Sequence, residues 1–482
     1  MRLIGNVEKD AQVRAVASGA LPSGDTVIVN ADGTVSVVSE TDVSPSVGTP
    51  VVYESAYAYL TAAAYDANAQ RVVIAYTDNG NSNYGTAVVG TVSGTSISFG
   101  TPVVFLSSTS YYASVVYDAN AQKTVIVYQD YSNSEGEAVV GTVSGTSISF
   151  GSPTVYDSSI ITGTSAIYDA STQKIVIAYR DNSNSFYGTS IVGTVSGTSI
   201  SFGSSTVFET GNTQYISTAY DSSAQKVVIA YKDIGNSSYG TAVVGTVSGT
   251  SISFGTPVVF EAADSSHISA VYDANAQKVV IAYQDGGNSD HGTAIVGTVS
   301  ATSISFGSPV VFESAGTSGI SAVYDANAKK ITIAYVDVGN SSYGTLIAGT
   351  VSGTSVSFDS PLVFESAQTE SVASAYDTNA QKAVIAYLDA GNSGYGTSVV
   401  FQPASTSTNL TSENFLGFAA HTYADTQSAL VNSTCTVDRN QSGLTAGQTY
   451  YVQTDGSLGT TAADPSVVAG TAISSTEIIV KG

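Results

Sequence analysis

The sequence predicts an all-β protein: a seven-bladed β-propeller closed by an N-terminal strand, with a small β-barrel or β-sandwich module at the termini. Three observations predict it. A phrase typified by YDANAQKVVIAYQDGGNS recurs with its Tyr-Asp pair at 65, 117, 168, 220, 272, 324 and 376, at intervals of 52, 51, 52, 52, 52 and 52 residues. The composition, with 46 Gly, 30 Tyr, no Trp and 11% charged residues, suits strands joined by tight polar turns, and no stretch carries a sustained apolar stripe at helical spacing. The strands of the repeat, finally, come out even only if the chain closes on itself. Such a repeat overrides any domain count made from the length of 482 residues.

Each unit reads as four strands separated by turn signals. The first is short and rich in small residues, as in ISAVYD at 268–273. Innermost strands crowd around a propeller's axis, where Ala and Ser avoid clashes. After the turn ANAQ comes KVVIAY, whose consecutive β-branched residues imply a strand covered on both faces. The Gly, Asn and Asp of DGGNSDHG form the next turn. The third strand, TAIVGTV, reverses at SATS (SGTS elsewhere) into the fourth, ISFGSPVVF. Large Val, Ile and Phe side chains there fill the widening wedge between blades.

The fourth-strand phrase appears at 99–105, 150–156, 202–208, 254–260, 306–312 and 358–364, once after each of the first six hairpins. The seventh hairpin, at Tyr376, runs to Val400 and then breaks into FQPASTSTN. Its missing strand stands ahead of the first hairpin as VGTPVVY, residues 47–53. An open array would leave unpaired edges at both ends. Pairing Val47, Val51, Val52 and Tyr53 with the seventh unit gives seven whole blades instead, a count natural to propellers. The unique seam also fixes the register of units similar enough to mispair.

The expected layout is an N-terminal β-segment at 1–43, the propeller at 44–402, a Pro/Ser/Thr-rich linker at 403–412 and a C-terminal β-module at 413–482. LPSGDTVIVNADGTV (21–35) and LTAGQTYYVQTDGSL (444–458) share a Leu, a Gly, a Thr, a Val and an Asp-Gly hairpin turn. The seam brings these segments side by side, so one module is expected, mainly C-terminal, with the N-terminal hairpin packed on it.

The ending GLTAGQTYYVQTDGSLGTTAADPSVVAGTAISSTEIIVKG (443–482) resembles C-terminal modules of structural and fibre proteins of tailed bacteriophages, which recur as GLTxGxxYYV…DG followed by VGxAxSxTxxxV. Ala469-Gly470-Thr471 departs slightly from that pattern. The GTVSGTSISFG repeats resemble those of phage virion proteins, particularly from marine phages. The resemblance implies assembly into a particle, contact with a host, other virion proteins as partners and no catalytic residues. It also suits the start, MRLIGNVEKDAQVRAV, which lacks the apolar core of a signal peptide. Virion proteins are made in the host cytoplasm and released by lysis, so the expected location is the virion.

Charge narrows the partners further. Fifteen Lys and Arg against 38 Asp and Glu give a formal charge of -23, which repels phosphate backbones and excludes nucleic acid as a natural partner. No apolar run is long enough for a membrane-spanning helix. The lone Cys435 forms neither an intrachain disulfide nor a zinc site, and reads as a small residue buried in a strand.

The motif D-x-[GS]-N-S places Asp78, Asp130, Asp181, Asp233, Asp285, Asp337 and Asp389 in equivalent turns. Oxygen-rich turns can hold Ca²⁺, but each copy offers one carboxylate where such loops need several. The motif also differs in spacing from the Asp-box of sialidase-like propellers and lacks its Trp. The plainer reading is that each Asp accepts backbone N–H groups and fixes its turn. The Tyr-Asp pair is sevenfold too. A catalytic site is asymmetric, so residues repeated in every blade read as structural. His267, His291 and His421 have no nucleophile placed beside them in the sequence. The expectation is a protein without a metal, a cofactor or an enzymatic activity, although 38 acidic residues leave glycosidase-type pairs open.

Variation among the repeats is uneven. ANAQ and SGTS are nearly constant, whereas the fourth-to-first segments and the turns after the second strand vary. Strands alternate in direction, so the varied segments share one face of the ring. That face carries Tyr57, Tyr59, Tyr111, Tyr112, Tyr131, Phe186, Tyr215 and His267, aromatics suited to stacking on sugars or anchoring a protein. Neutral loop drift is the plainer alternative. Three functions follow in order of preference. The first is a non-enzymatic phage appendage (tail fibre, capsid fibre or decoration) touching a host-surface glycan, with the terminal module docking to capsid or tail or driving homo-oligomerisation. The others are a carbohydrate-binding bacterial cell-surface propeller and a glycan hydrolase with its site at the axis.

Overall fold

The computed structural model describes residues 12–463 and 465–481. The export-signal expectation rests largely on residues outside that range. The chain divides into two compact units, Pro45–Pro403 and a second made of Met1–Ser44 with Ala404–Gly482.

The first unit is a β-propeller whose second and third strands pair in seven separate antiparallel sheets. In one blade, Lys226–Asp233 lies between the inner part of Thr206–Asp221 and the third strand Tyr239–Ser248. The third strand pairs outward with Ser251–Phe254 and then with Val258 and Val259. The crossing between blades is not the loop expected from sequence. Val258–Asp273 is one strand of 16 residues, outermost in one blade at Val258 and innermost in the next at Ser269. Only between the second and third blades is it interrupted, into Thr154–Asp157 and Ile161–Asp169.

The seam follows the same rule. Val51–Asp66 pairs with Tyr395–Gln402, matching Val51 to Ser398 and Val52 to Thr397, while Val47 opposes Phe401. Tyr53 is buried against Tyr76 and Phe99, with ring centroids 5.2 and 5.6 Å away.

Packing explains the run of apolar residues in second strands. Val72, Val73, Ile74, Ala75 and Tyr76 are all fully buried, because both faces of the blade are covered by neighbours. The core lies between blades: Val176, Ala178 and Val192 of the third pack on Phe208, Ile229 and Tyr231 at the fourth.

Four repeated contacts fasten blade to blade. The tyrosine of each Tyr-Asp pair accepts a backbone N–H from the ANAQ-type turn of the preceding blade. Asn68 donates to Tyr117 at 3.1 Å, Asn120 to Tyr168, Ser171 to Tyr220 at 3.1 Å, Ser223 to Tyr272, Asn275 to Tyr324 and Asn327 to Tyr376. Asn379 closes the belt on Tyr65 at 3.3 Å. The paired Asp holds its own turn, as Asp325 Oδ1 does by accepting from Asn327 and Ala328. Small inner-strand residues do more than relieve crowding. Ser114, Ser217 and Ser269 accept the N–H groups of Ala166, Ala270 and Ala322 in the next blade.

The outer strands supply the third contact. A Cβ on Gly48, Gly100, Gly151, Gly203, Gly255 or Gly307 would come within about 2 Å of the carbonyl of Thr95, Thr146, Thr198, Thr250, Thr302 or Thr354 in the following blade. The seventh copy of this position is Asp359. The hairpin that follows it makes no such reversal, since its outer strand comes from the seam.

Fourth, each second-strand tyrosine donates its buried hydroxyl to a carboxylate. Tyr76, Tyr179, Tyr231, Tyr283, Tyr335 and Tyr387 reach Glu54, Asp157, Glu209, Glu261, Glu313 and Glu365 of the preceding outer strand, at 2.9–3.1 Å. The seventh equivalent is Leu106, and there Glu137, where the other six blades carry Thr, takes the Tyr128 hydroxyl at 2.9 Å.

In the second unit, Gln12–Val16, Ser428–Asn432, Phe415–Ala419, Thr26–Val29 and Val35–Val37 form one sheet in that order. A second sheet orders Val437–Asp438, Ile478–Val480, Val467–Ala472, Thr449–Val452 and Leu458–Gly459. Ile28 and Phe418 share a core with Tyr450, Val452, Val467 and Ile478. The N-terminal segment is thus not an accessory to a C-terminal module. It interleaves with it, because Thr26 and Val27 need Phe418 and Gly417 as ladder partners. Residues 403–412 are likewise not a free linker: Ser405–Thr408 pairs with Glu40–Val43, and Leu410 is buried. Cys435 is exposed in a turn at φ 70°, not buried in a strand.

The Tyr128–Glu137 exchange gives a thermodynamic prediction. Glu137→Thr leaves a buried phenol without an acceptor and should cost about 1–3 kcal/mol in denaturant unfolding. Adding Leu106→Glu should restore most of that loss in a double-mutant cycle.

Candidate functional site

The two faces are distinct in the structure. On one, the turn after each second strand packs against the crossing segment: Tyr59 donates its hydroxyl to Asn83 Oδ1 at 3.3 Å, and a Cβ on Gly80 would strike Ala56. On the other, Arg71 reaches the Gly145 carbonyl, joining the constant first-to-second and third-to-fourth turns of adjacent blades.

The repeated turn carboxylates hold backbone. Asp78, Asp233, Asp337 and Asp389 each accept the N–H three residues on, at 3.0–3.1 Å, and Asp285 accepts that of Gly287. Asp130 and Asp181 each accept two backbone N–H groups, Asp130 also binding the Asn133 side chain. Among the described residues no group of three His, Cys, Asp or Glu side chains converges as a metal site would require.

Every inner strand begins with a bulge. The register slips between Tyr59 and Ala62, Tyr111 and Ser114, and at the equivalent place in the other five blades. At each slip one residue takes positive φ: Leu60, Tyr112, Gly163, Tyr215, His267, Gly319 and Ser371, at 49–59°. Glycine adopts that conformation freely, but five of the seven are not glycine, and aromatic side chains there carry strain. A bulge re-aims a side chain out of the sheet. These residues meet around the ring: Gly319 donates its N–H to His267 Nδ1 at 3.2 Å, and the Leu60 N–H reaches Ser371.

The aromatics picked from sequence fall into three groups. Tyr57, Tyr59, Tyr111, Tyr112 and Tyr131 form one continuous band, with successive centroids 5.2–6.4 Å apart. Burial, with Tyr111 adding, raises the Tyr59 phenol to about 12. Tyr131 is the most open of them, at 59% exposure. Tyr215 and His267 meet at 5.0 Å, their ring planes tilted by 48°, as a second group. Phe186 stands apart, beneath the Arg180 guanidinium at 4.4 Å.

Sequence reasoning missed the cations. The residue between Tyr and Asp at the end of each second strand reads Thr77, Gln129, Arg180, Lys232, Gln284, Val336 and Leu388. That variation was visible, but lay inside a strand otherwise read as constant scaffold. Arg180 borders an open cleft of about 360 Å³ lined by Tyr112, Thr162, Thr164, Gln214 and Tyr215. Lys232 sits over Tyr215 and is neutralised by Asp264.

No protein-family model matches the sequence, and no curated protein sequence matches it. Solved structures do. The BP39L lectin from Burkholderia pseudomallei aligns with a TM-score of 0.57 at 10% identity, covering 74% of this chain and 99% of that one. The β-propeller domain of Cps50 (Swd1) from Myceliophteria thermophila aligns at 0.48 and 7% identity, covering 73% and 99%. At such identity the likeness concerns the fold.

His267 offers a pH test of the bulge geometry. Burial, and then the nearby Lys232 charge, lower its pKa below 6.5. As the pH falls through 6.5 the unfolded chain takes up this proton first, so the histidine costs stability on the acidic side and nothing above. Melting curves from neutral pH to about pH 5 should fall more steeply for the native protein than for His267→Gln.

Proposed function

We propose that this protein is a non-enzymatic recognition propeller, carried as an appendage of a tailed-phage particle, whose varied face binds a host-surface glycan. The observation that carries the binding reading is the band of five tyrosines, held on one face by bulged strands over a rigid ring. Tyr57, Tyr112 and Tyr131 are exposed, and such rings suit the apolar faces of sugars while their hydroxyls suit the edges. His267 accepts a backbone N–H and packs against Tyr215, contacts that hold a ring in place and activate no nucleophile. A lectin is among the proteins sharing the fold, and the same use of the scaffold is proposed here. The particle context rests on the sequence resemblance of residues 443–482. There the terminal unit docks to other virion proteins, and many copies on one particle make individually weak contacts effective through avidity.

An array of bacterial surface glycans should show saturable binding by the native protein. Tyr111→Ala with Tyr112→Ala should lower it at least about tenfold, as loss of a buried aromatic anchor does. No saturable binding to any glycan would refute the reading.

A further inference from the structure

Six of the seven residues just before the final Asp of the second strands differ in how they are accommodated. Thr77 Oγ1 and Gln284 Nε2 each donate to a backbone carbonyl in the following blade, Ser110 and Thr317, both at 2.6 Å. Lys232 is paired with Asp264 at 2.5 Å, and Val336 and Leu388 are apolar. Arg180 differs. It has no carboxylate partner among the described residues, and its Nε is buried without an acceptor. In a chain of net charge -23 an uncompensated guanidinium held beside a cleft is anomalous. Its position is fixed from below by the Phe186 ring. On either side stand Tyr112 and Tyr215, each 39% exposed and each held at a left-handed bulge position, φ 50° and 49°. Thr162, Thr164 and Gln214 add neutral hydrogen-bonding groups, and Gly163 and the apolar Ile216 complete the lining.

We infer that this cleft is a subsite for an acidic sugar, a residue bearing a carboxylate such as a uronic or sialic acid, with its carboxylate on Arg180 and its ring against Tyr112 or Tyr215. The inference rests on the glycan reading above and specifies its ligand. A guanidinium forms paired hydrogen bonds with a carboxylate, which a neutral sugar cannot offer. The cleft falls within the size range of small-ligand pockets, about 300–1,000 Å³.

The test is calorimetric titration of the intact chain with oligosaccharides ending in glucuronate, galacturonate or sialate, beside their methyl esters and neutral counterparts. Binding to at least one acid should weaken roughly 10- to 100-fold on esterification and to a similar extent in Arg180→Gln. Arg180→Lys should retain part of it, and a melting curve for each variant shows whether it is folded. If neutral glycans bind through the tyrosines and esterification or Arg180→Gln changes nothing, the acidic subsite is wrong while the glycan reading survives. If no glycan of either kind binds, or acidic peptides alone bind through Arg180, both fall.

Discussion

The hydrogen bond from the ANAQ-type turn of one blade to the tyrosine hydroxyl of the next is the contact on which the rest depends. It answers why the phrase is repeated so closely. Asp holds the turn and Tyr reaches the neighbouring turn, so each half of the pair needs the other blade to be in register. Asn379 and Tyr65 are 314 residues apart and make the same contact as their local counterparts. Buried tyrosine–carboxylate pairs repeat the arrangement deeper in the wedge, where an unmatched partner would be costly. Blade follows blade because both polar and apolar groups are satisfied only across the gap.

A ring fastened in this way can hold a strained periphery. Bulges at the start of every inner strand place a residue at positive φ, and in five blades that residue is not glycine. The surrounding ladders over-determine those positions, which leaves their side chains free to vary. Conserved geometry with changing chemistry is what a display surface needs. Tyrosines gather around the first two blades, a guanidinium stands in the third, and Tyr215 with His267 follows. The opposite face, made of ANAQ and SGTS turns, packs blade on blade and repeats.

Much of the propeller could be read from the sequence because its signals are periodic. The six outer-strand phrases and the orphan at 47–53 pointed to the seam pairing that the structure contains. What the sequence concealed was cooperative. That Leu106 and Glu137 trade one carboxylate between strands needs the register of two blades. That Asp359 replaces a glycine needs knowledge of which turn approaches it. The terminal unit was misjudged for a related reason: its two segments share a motif, but their interleaving as Thr26–Phe418 and Val13–Val431 pairs leaves no local trace. Of the site, the aromatic face was legible from uneven variation. Arg180 was not, since it ends a strand that reads as scaffold.

The central claim is that a strand near the start of the chain completes the sheet near its end. Cysteines placed at Val52 and Thr397, which face one another across the seam, test it directly in a Cys435→Ser background. The account predicts rapid oxidation to an intramolecular disulfide in the folded monomer, with a raised melting temperature. Thiols that stay free in the native state, or that link only between molecules, would contradict it.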